Sequence, residues 1–147
     1  MQIFVWMRRS VLVSTALLAA PSVLYAQESL CPDWADGESA YRFPVQVSDD
    51  GGVELQDFSA LVILDTTAAV ADGSLEADGS DLRFYDSNDA QVPHWIEEGV
   101  GTAQTRVWVR LPSIPASGDV QLFAYHGGAE VQNRSDIHAA FLAGEDF

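Results

Sequence analysis

From residue 41 the chain alternates. Tyr41, Phe43, Val45 and Val47 fall on one side of an extended segment, with Arg42, Pro44, Gln46 and Ser48 on the other. A period of two marks a half-buried strand, and Pro44, lacking an N–H for a ladder, suits a sheet edge or a strand start. Beyond the turn formers Asp49, Asp50, Gly51 and Gly52, residues 53–58 lead into a second run at 59–65. There Leu61 and Ile63 share one face and Val62 and Leu64 the other. Apolar on both sides, this strand is expected to be central or covered.

Residues 78–128 hold four more runs, at 81–86, 92–98, 103–111 and 119–126, which end at Gly, Pro, Asp, Asn or Ser. Short strands separated by regular turns predict an all-β fold, an antiparallel β-sandwich of jelly-roll type. Pro93, Pro112 and Pro115 oppose helices here, and residues 111–118 read as a rigid turn between two strands. Residues 66–80 contain a small repeat, Ala71-Asp-Gly-Ser and Ala77-Asp-Gly-Ser six residues apart, whose Asp-Gly steps are turn formers. Near the end, Ile137, Ala140 and Phe141 recur at helical spacing, which predicts one or two helical turns capped by Ser135 or Asp136.

The four runs have two faces. Val107, Val109 and Leu111 oppose Arg106, Trp108 and Arg110; Leu82 and Phe84 oppose Arg83 and Tyr85; Ile96 opposes Trp95; Leu122 and Ala124 oppose Phe123 and Tyr125. If the strands lie side by side, one face is aliphatic and the other interleaves aromatics with arginine. Trp95, Arg106, Trp108, Arg110, Phe123 and Tyr125 are therefore the candidate binding residues. Three readings compete: the tryptophans fill the core, the face meets another domain, or it stacks on sugar rings. The core reading ranks first.

Residues 1–26 carry Arg8 and Arg9, an apolar stretch at 11–20, and small residues before Ala26, the pattern of an export signal cleaved after Ala26. The apolar run is too short for a comfortable membrane span. Residues 27–39 then form a flexible acidic lead-in, 40–130 the sandwich, and 131–147 a linker with the start of a further domain. Without Arg8 and Arg9, five arginines face 22 acidic residues, a net charge of −17, and the chain has no lysine. Such a field repels nucleic acid and anionic lipid, so neither is expected as a partner. Cys31 is the sole cysteine, so no disulfide forms within the chain.

Chemistry is sparse. His94, His126 and His138 lack ligand spacing for zinc. Asp72, Asp78 and Asp81 are the candidate metal ligands, for calcium, although turn formation explains them as well. Glu97 and Glu98 are adjacent, and neighbours on a regular strand point to opposite faces, which removes them as an acid–base pair. No nucleophile elbow, phosphate loop or dinucleotide fingerprint occurs. No cofactor other than calcium and no enzyme activity are expected.

Tyr41-Arg42, Asp78-Gly-Ser-Asp-Leu-Arg-Phe84, Pro93-His-Trp-Ile-Glu97, Val107-Trp-Val-Arg-Leu-Pro-Ser-Ile-Pro-Ala-Ser-Gly118 and Tyr125-His-Gly127 stand here in one order. The ordered set resembles the domain of unknown function 2341, from about Ala40 to Phe147. A tryptophan common in the family is replaced by Ser39, and its Tyr-Tyr-Gly by Tyr125-His126-Gly127. The resemblance implies a β-rich module behind an export signal, often before a concanavalin-like or laminin-G-like domain. It also implies a place in the periplasmic part of proteins similar to MotA/TolQ/ExbB proton-channel subunits. The expected function is a non-catalytic periplasmic binding or scaffolding module, part of a larger envelope protein of a Gram-negative-type bacterium. Its expected partners are the downstream domain, envelope proteins or glycans, with membrane contact only through segments beyond residue 147. A carbohydrate-binding module with a solvent-facing row of Trp95, Trp108 and Tyr125 is the second expectation. An accessory domain of a glycan-active hydrolase is the third.

Overall fold

The clean alternation at 41–48 is a strand, and the other runs become strands with shifted ends. A computed structural model describes residues 3–4, 34–128 and 132–141. In order they form β1 (Ile3–Phe4), β2 (Tyr41–Ser48), β3 (Leu55–Leu64), α1 (Thr67–Ala71), β4 (Arg83–Asp86), β5 (His94–Glu98), β6 (Thr105–Ile114), β7 (Asp119–His126) and α2 (Ile137–Ala140). Two sheets result, one ordered β1-β3-β6-β5 and the other β2-β7-β4. Every pairing between these strands is antiparallel except that of β1, which lies parallel to β3. The expected all-β sandwich is what forms. Apart from Ile3 and Phe4, the segment read as an export signal lies outside the described residues, as does Cys31. Among the described residues no helix is long and apolar enough to cross a membrane.

The aliphatic faces make the core. Val45 and Val47 of β2, Phe84 of β4 and Leu122 and Ala124 of β7 meet Ala60, Val62 and Leu64 of β3 and Val107, Val109 and Leu111 of β6. Each Val, Leu or Phe among them contributes roughly 1.5–3 kcal/mol when taken out of water. Trp95 and Trp108 are not core residues, against the first-ranked expectation. They stay half-buried on the outer side of their sheet. Branched aliphatics on both inner faces already fill the space between the sheets, and strand parity sends the indoles outward.

Three local departures have physical causes. Residues 111–118 are not one turn: β6 continues past Pro112 to the fully buried Ile114, and the turn is confined to 115–118, closed by Gly118 N–H donating to Pro115 O at 3.1 Å. The ladder with β3 passes from Gln56–Ser113 to Phe58–Leu111. It skips the place where Pro112, without an N–H, faces Asp57 at φ 47°. The run read at 59–65 begins earlier, at Leu55, because β6 supplies that longer partner. Finally α1 precedes the Asp-Gly repeat, in a part of residues 66–80 where no helix was expected. It is five residues long, too short for a helical period to show.

α2 matches its expectation. Asp136 Oδ1 accepts the His138 N–H at 2.8 Å, the capping bond, in an extended backbone conformation.

Candidate functional site

The aromatic–arginine residues do not share a surface, because β5 and β6 belong to one sheet and β4 and β7 to the other. Trp95, Arg106, Trp108 and Arg110 lie on the outside of the first sheet. Phe123 and Tyr125 lie on the outside of the second, with Arg42, Arg83 and Tyr85 on neighbouring strands. The two outer faces point away from each other, with the core between them.

On the first face the segment after residue 134 crosses the strands. Ser135 bridges His94 in parallel, its Oγ accepts the Ile96 N–H at 2.8 Å, and Asp136 N–H donates to His94 O at 2.9 Å. α2 follows, and Phe141 then packs on Trp108 (ring centroids 5.1 Å apart) and Trp95 (6.1 Å). Ser59 Oγ on β3 donates to Ala140 O at 2.7 Å, so the crossing reaches from β5 to β3. Phe141 is 7% exposed, and the indoles beneath it are not a solvent-facing row.

Charges rim this face. Glu97 Oε2 accepts both Arg106 Nε and Trp108 Nε1–H at 3.0 Å, and Arg110 pairs with Asp57 at 3.1 Å. Glu98 also reaches Arg106, at 3.7 Å. A bulge between Ile96 and Glu98 explains this. The extra residue breaks the strict alternation from which Glu97 and Glu98 were expected on opposite sides, and both carboxylates converge on one guanidinium.

The second face is organised around arginine. The Arg42 guanidinium lies over Phe123 at 4.5 Å, Trp34 at 5.1 Å and Tyr125 at 5.9 Å, and Tyr125 meets Trp34 and Tyr85 edge-on. Tyr125 is fully buried. The acidic lead-in thus packs, through Trp34, on the sheet it precedes. Arg83 is buried too. Its Nη1 donates to Ser80 O (2.7 Å) and Leu82 O (2.8 Å), and its Nη2 donates to Gln132 O.

Beside Arg83 opens a cavity of about 300 Å³, walled by the lead-in, by β4 and by the segment around Arg134. Asp36 shapes one wall: Oδ1 accepts the Glu38 N–H at 3.2 Å and Oδ2 the Ser39 hydroxyl at 3.0 Å. Asp81 shapes another: Oδ1 accepts the Glu76 N–H at 2.9 Å and Oδ2 the Gly127 N–H at 2.7 Å. Gly127 has φ 77°, and a Cβ there would come within 2.8 Å of the Tyr41 ring, so this latch requires glycine. Burial, then the neighbouring Arg134, lowers the pKa of Arg83. Burial, then Asp36, raises that of Tyr85.

The three candidate calcium ligands have separate tasks. Asp72 Oδ1 accepts the Ser74 N–H at 3.0 Å, Asp78 Oδ1 the Ser80 N–H at 2.9 Å, and Asp81 makes the latch just described. The Ser80 bonds lower the pKa of Asp78. Among the described residues no group of three or more His, Cys, Asp or Glu is placed to hold a metal. His126 stacks on Tyr41 at 5.0 Å, and its Nδ1 donates to Ser74 O at 2.7 Å. His94 sits in the interior, its ring 5.2 Å from Phe84; Nε2 is buried without a hydrogen-bond partner, and burial brings its pKa down to about 4.

Sequence reading missed the cavity, because its walls come from residues 36–39, 81–85, 91, 128 and 134. The available signal was Arg83, a charge set between Leu82 and Phe84 in a chain with few cations.

No curated protein and no solved structure matches this chain. A family-model match begins at residue 78, later than the resemblance read from Ala40, so β2, β3 and the lead-in lie outside it. Residues 78–147 match the family described as Domain of unknown function (DUF2341), a span containing β4 to β7, α2 and the Arg83 and Arg134 walls of the cavity.

Proposed function

We propose that this chain is a non-catalytic, exported binding or scaffolding module, the periplasmic N-terminal part of a larger envelope protein of the MotA/TolQ/ExbB type. The observation that carries the reading is the attachment of the chain on both sides of the sandwich to its outer faces. Trp34 holds the entering segment against Tyr125 and Arg42, and Phe141 holds the leaving segment against Trp95 and Trp108. Segments fixed in this way give neighbouring parts of a protein a defined position, as a scaffold requires. The all-β frame and the family match over residues 78–147 agree with such a module. The aromatic row that would favour a flat sugar platform is divided between two faces, so that reading ranks lower.

Expression of the tagged natural protein in a Gram-negative host tests the reading. The expected product begins at Gln27, is degraded by protease added to spheroplasts, and gives a discrete cross-link to another envelope component from a photo-reactive residue at Leu61. An unprocessed chain, protected inside the spheroplast, would overturn it.

A further inference from the structure

Cations are scarce in this chain, and their placement is informative. Of the five arginines beyond residue 26, Arg106 and Arg110 pair with carboxylates and Arg42 lies among aromatic rings. The remaining two, Arg83 and Arg134, border the same cavity. Two guanidinium groups close together repel each other, more so where one is buried. Both oxygens of Asp36 and both oxygens of Asp81 already accept hydrogen bonds from the cavity's own frame, while Glu38 on the same wall keeps its carboxylate available. Arg134 is exposed and makes no hydrogen bond or ion pair among the described residues. A guanidinium of this kind offers a planar fork that matches a carboxylate with two parallel bonds.

The rest of the wall does not suit a bare anion. Glu38 and Gln91 supply acceptors for hydroxyl groups, Tyr85 offers a ring and a hydroxyl, and about 300 Å³ is at the low end of small-molecule sites. Sulfate or acetate would have no hydroxyls to donate to Glu38 and Gln91. A sugar acid has both parts. We propose that this cavity binds a uronic acid unit, its carboxylate on Arg134 within the field of Arg83 and its hydroxyls toward Glu38 and Gln91. The site deepens the reading of the chain as an exported binding module and rests on it.

Titration calorimetry on the exported, processed protein at low salt, with D-galacturonate, D-glucuronate, D-galactose and acetate, tests the proposal. At least one uronate is expected to bind roughly tenfold more tightly than galactose or acetate, and more weakly as salt is added. Arg134→Gln, at an exposed position, is expected to remove that preference with the melting temperature unchanged. Gln91→Ala is expected to weaken uronate while leaving acetate as it was. Equal affinity for uronate and galactose, no heat from any sugar acid, or a preference that survives Arg134→Gln would each overturn the proposal. These results are separable from a failure of the functional reading, which the unprocessed, protease-protected chain reports whether or not the cavity binds a sugar acid.

Discussion

The two outer faces of the sandwich carry nearly the same sequence pattern and form different surfaces. On β5 and β6, arginines alternate with tryptophan, and the indoles are closed over by Phe141 while the guanidiniums turn to Glu97, Glu98 and Asp57 at the rim. On the face made by β2, β7 and β4, the two arginines are held otherwise. Arg42 is stacked among rings and Arg83 is buried beneath the surface, with a polar cavity beside it. What lies over a strand therefore decides the role of its outward residues. An apolar cover leaves charge at the edge, whereas a polar cover made of the acidic lead-in holds a cation in place.

The largest expected effect comes from removing that buried cation. Arg83→Met fills similar space but leaves the Ser80, Leu82 and Gln132 carbonyls without their donor. Unsatisfied buried acceptors cost about 1–3 kcal/mol each, so a loss of about 4 kcal/mol is expected in urea unfolding. A loss under about 1 kcal/mol would mean that water substitutes readily, and the second face would then not depend on its arginine.

His94 reports how far the charge of the second face is felt in the core. It belongs to β5, yet its ring meets Phe84 of the other sheet. Burial, chiefly, and the positive charge of Arg83 depress its pKa from 6.5 to about 4, against a smaller opposing effect of the Val92 carbonyl. The unfolded chain therefore takes up this proton first. Stability from a neutral His94 is complete above pH 6.5 and falls by about 3 kcal/mol as the pH drops to 4. The His94→Leu variant should lack this component, so the difference between variant and wild type should change across that window. A constant difference from pH 4 to 6.5 would mean that the ring titrates normally.

Phe141→Ala tests the apolar cover. A buried ring removed from one side of a face, rather than from the centre of the core, should cost about 2 kcal/mol. Trp95 and Trp108 become exposed, so the fluorescence emission should move to longer wavelength. Unchanged emission would show that the crossing segment does not shield the indoles in solution.

Much of the frame was legible because parity is a local property. Tyr41 to Ser48 alternates over eight residues, Asp119 to His126 is a run of strand formers with an aliphatic and an aromatic side, and both strands have the expected bounds. The sandwich class followed from such runs and their turns. Parity tells which residues share a side of one strand, but not which strands share a sheet. Trp108 and Tyr125 were therefore grouped on one surface although β6 and β7 belong to different sheets. The Glu97 bulge escaped for a related reason, since one extra residue resets the alternation without any mark in composition. Asp81 looked like a member of an acidic turn repeat. Its partner, the N–H of Gly127, lies 46 positions away, a separation no local pattern shows. The cavity is assembled wholly from such distant pieces.

The smallest effects give the sharpest contrast, because Arg42 on one face and Arg110 on the other are held by different physics. Arg42 on the second face lies 4.5 Å from Phe123 and 5.1 Å from Trp34, a contact worth about 1 kcal/mol at such sites. Arg110 on the first face pairs with Asp57, whose side chain is 58% exposed, and such pairs contribute about 0.5 kcal/mol. Arg42→Ala should thus destabilise more than Arg110→Ala. Salt should separate them further: at 1 M the screening length falls to about 3 Å, the Arg110 contribution should vanish, and most of the Arg42 contribution should remain. Denaturant melts of both variants at low and high salt read this directly. If both effects fade together, Arg42 is held by the surrounding carboxylates rather than by the rings, and the two faces are built alike after all.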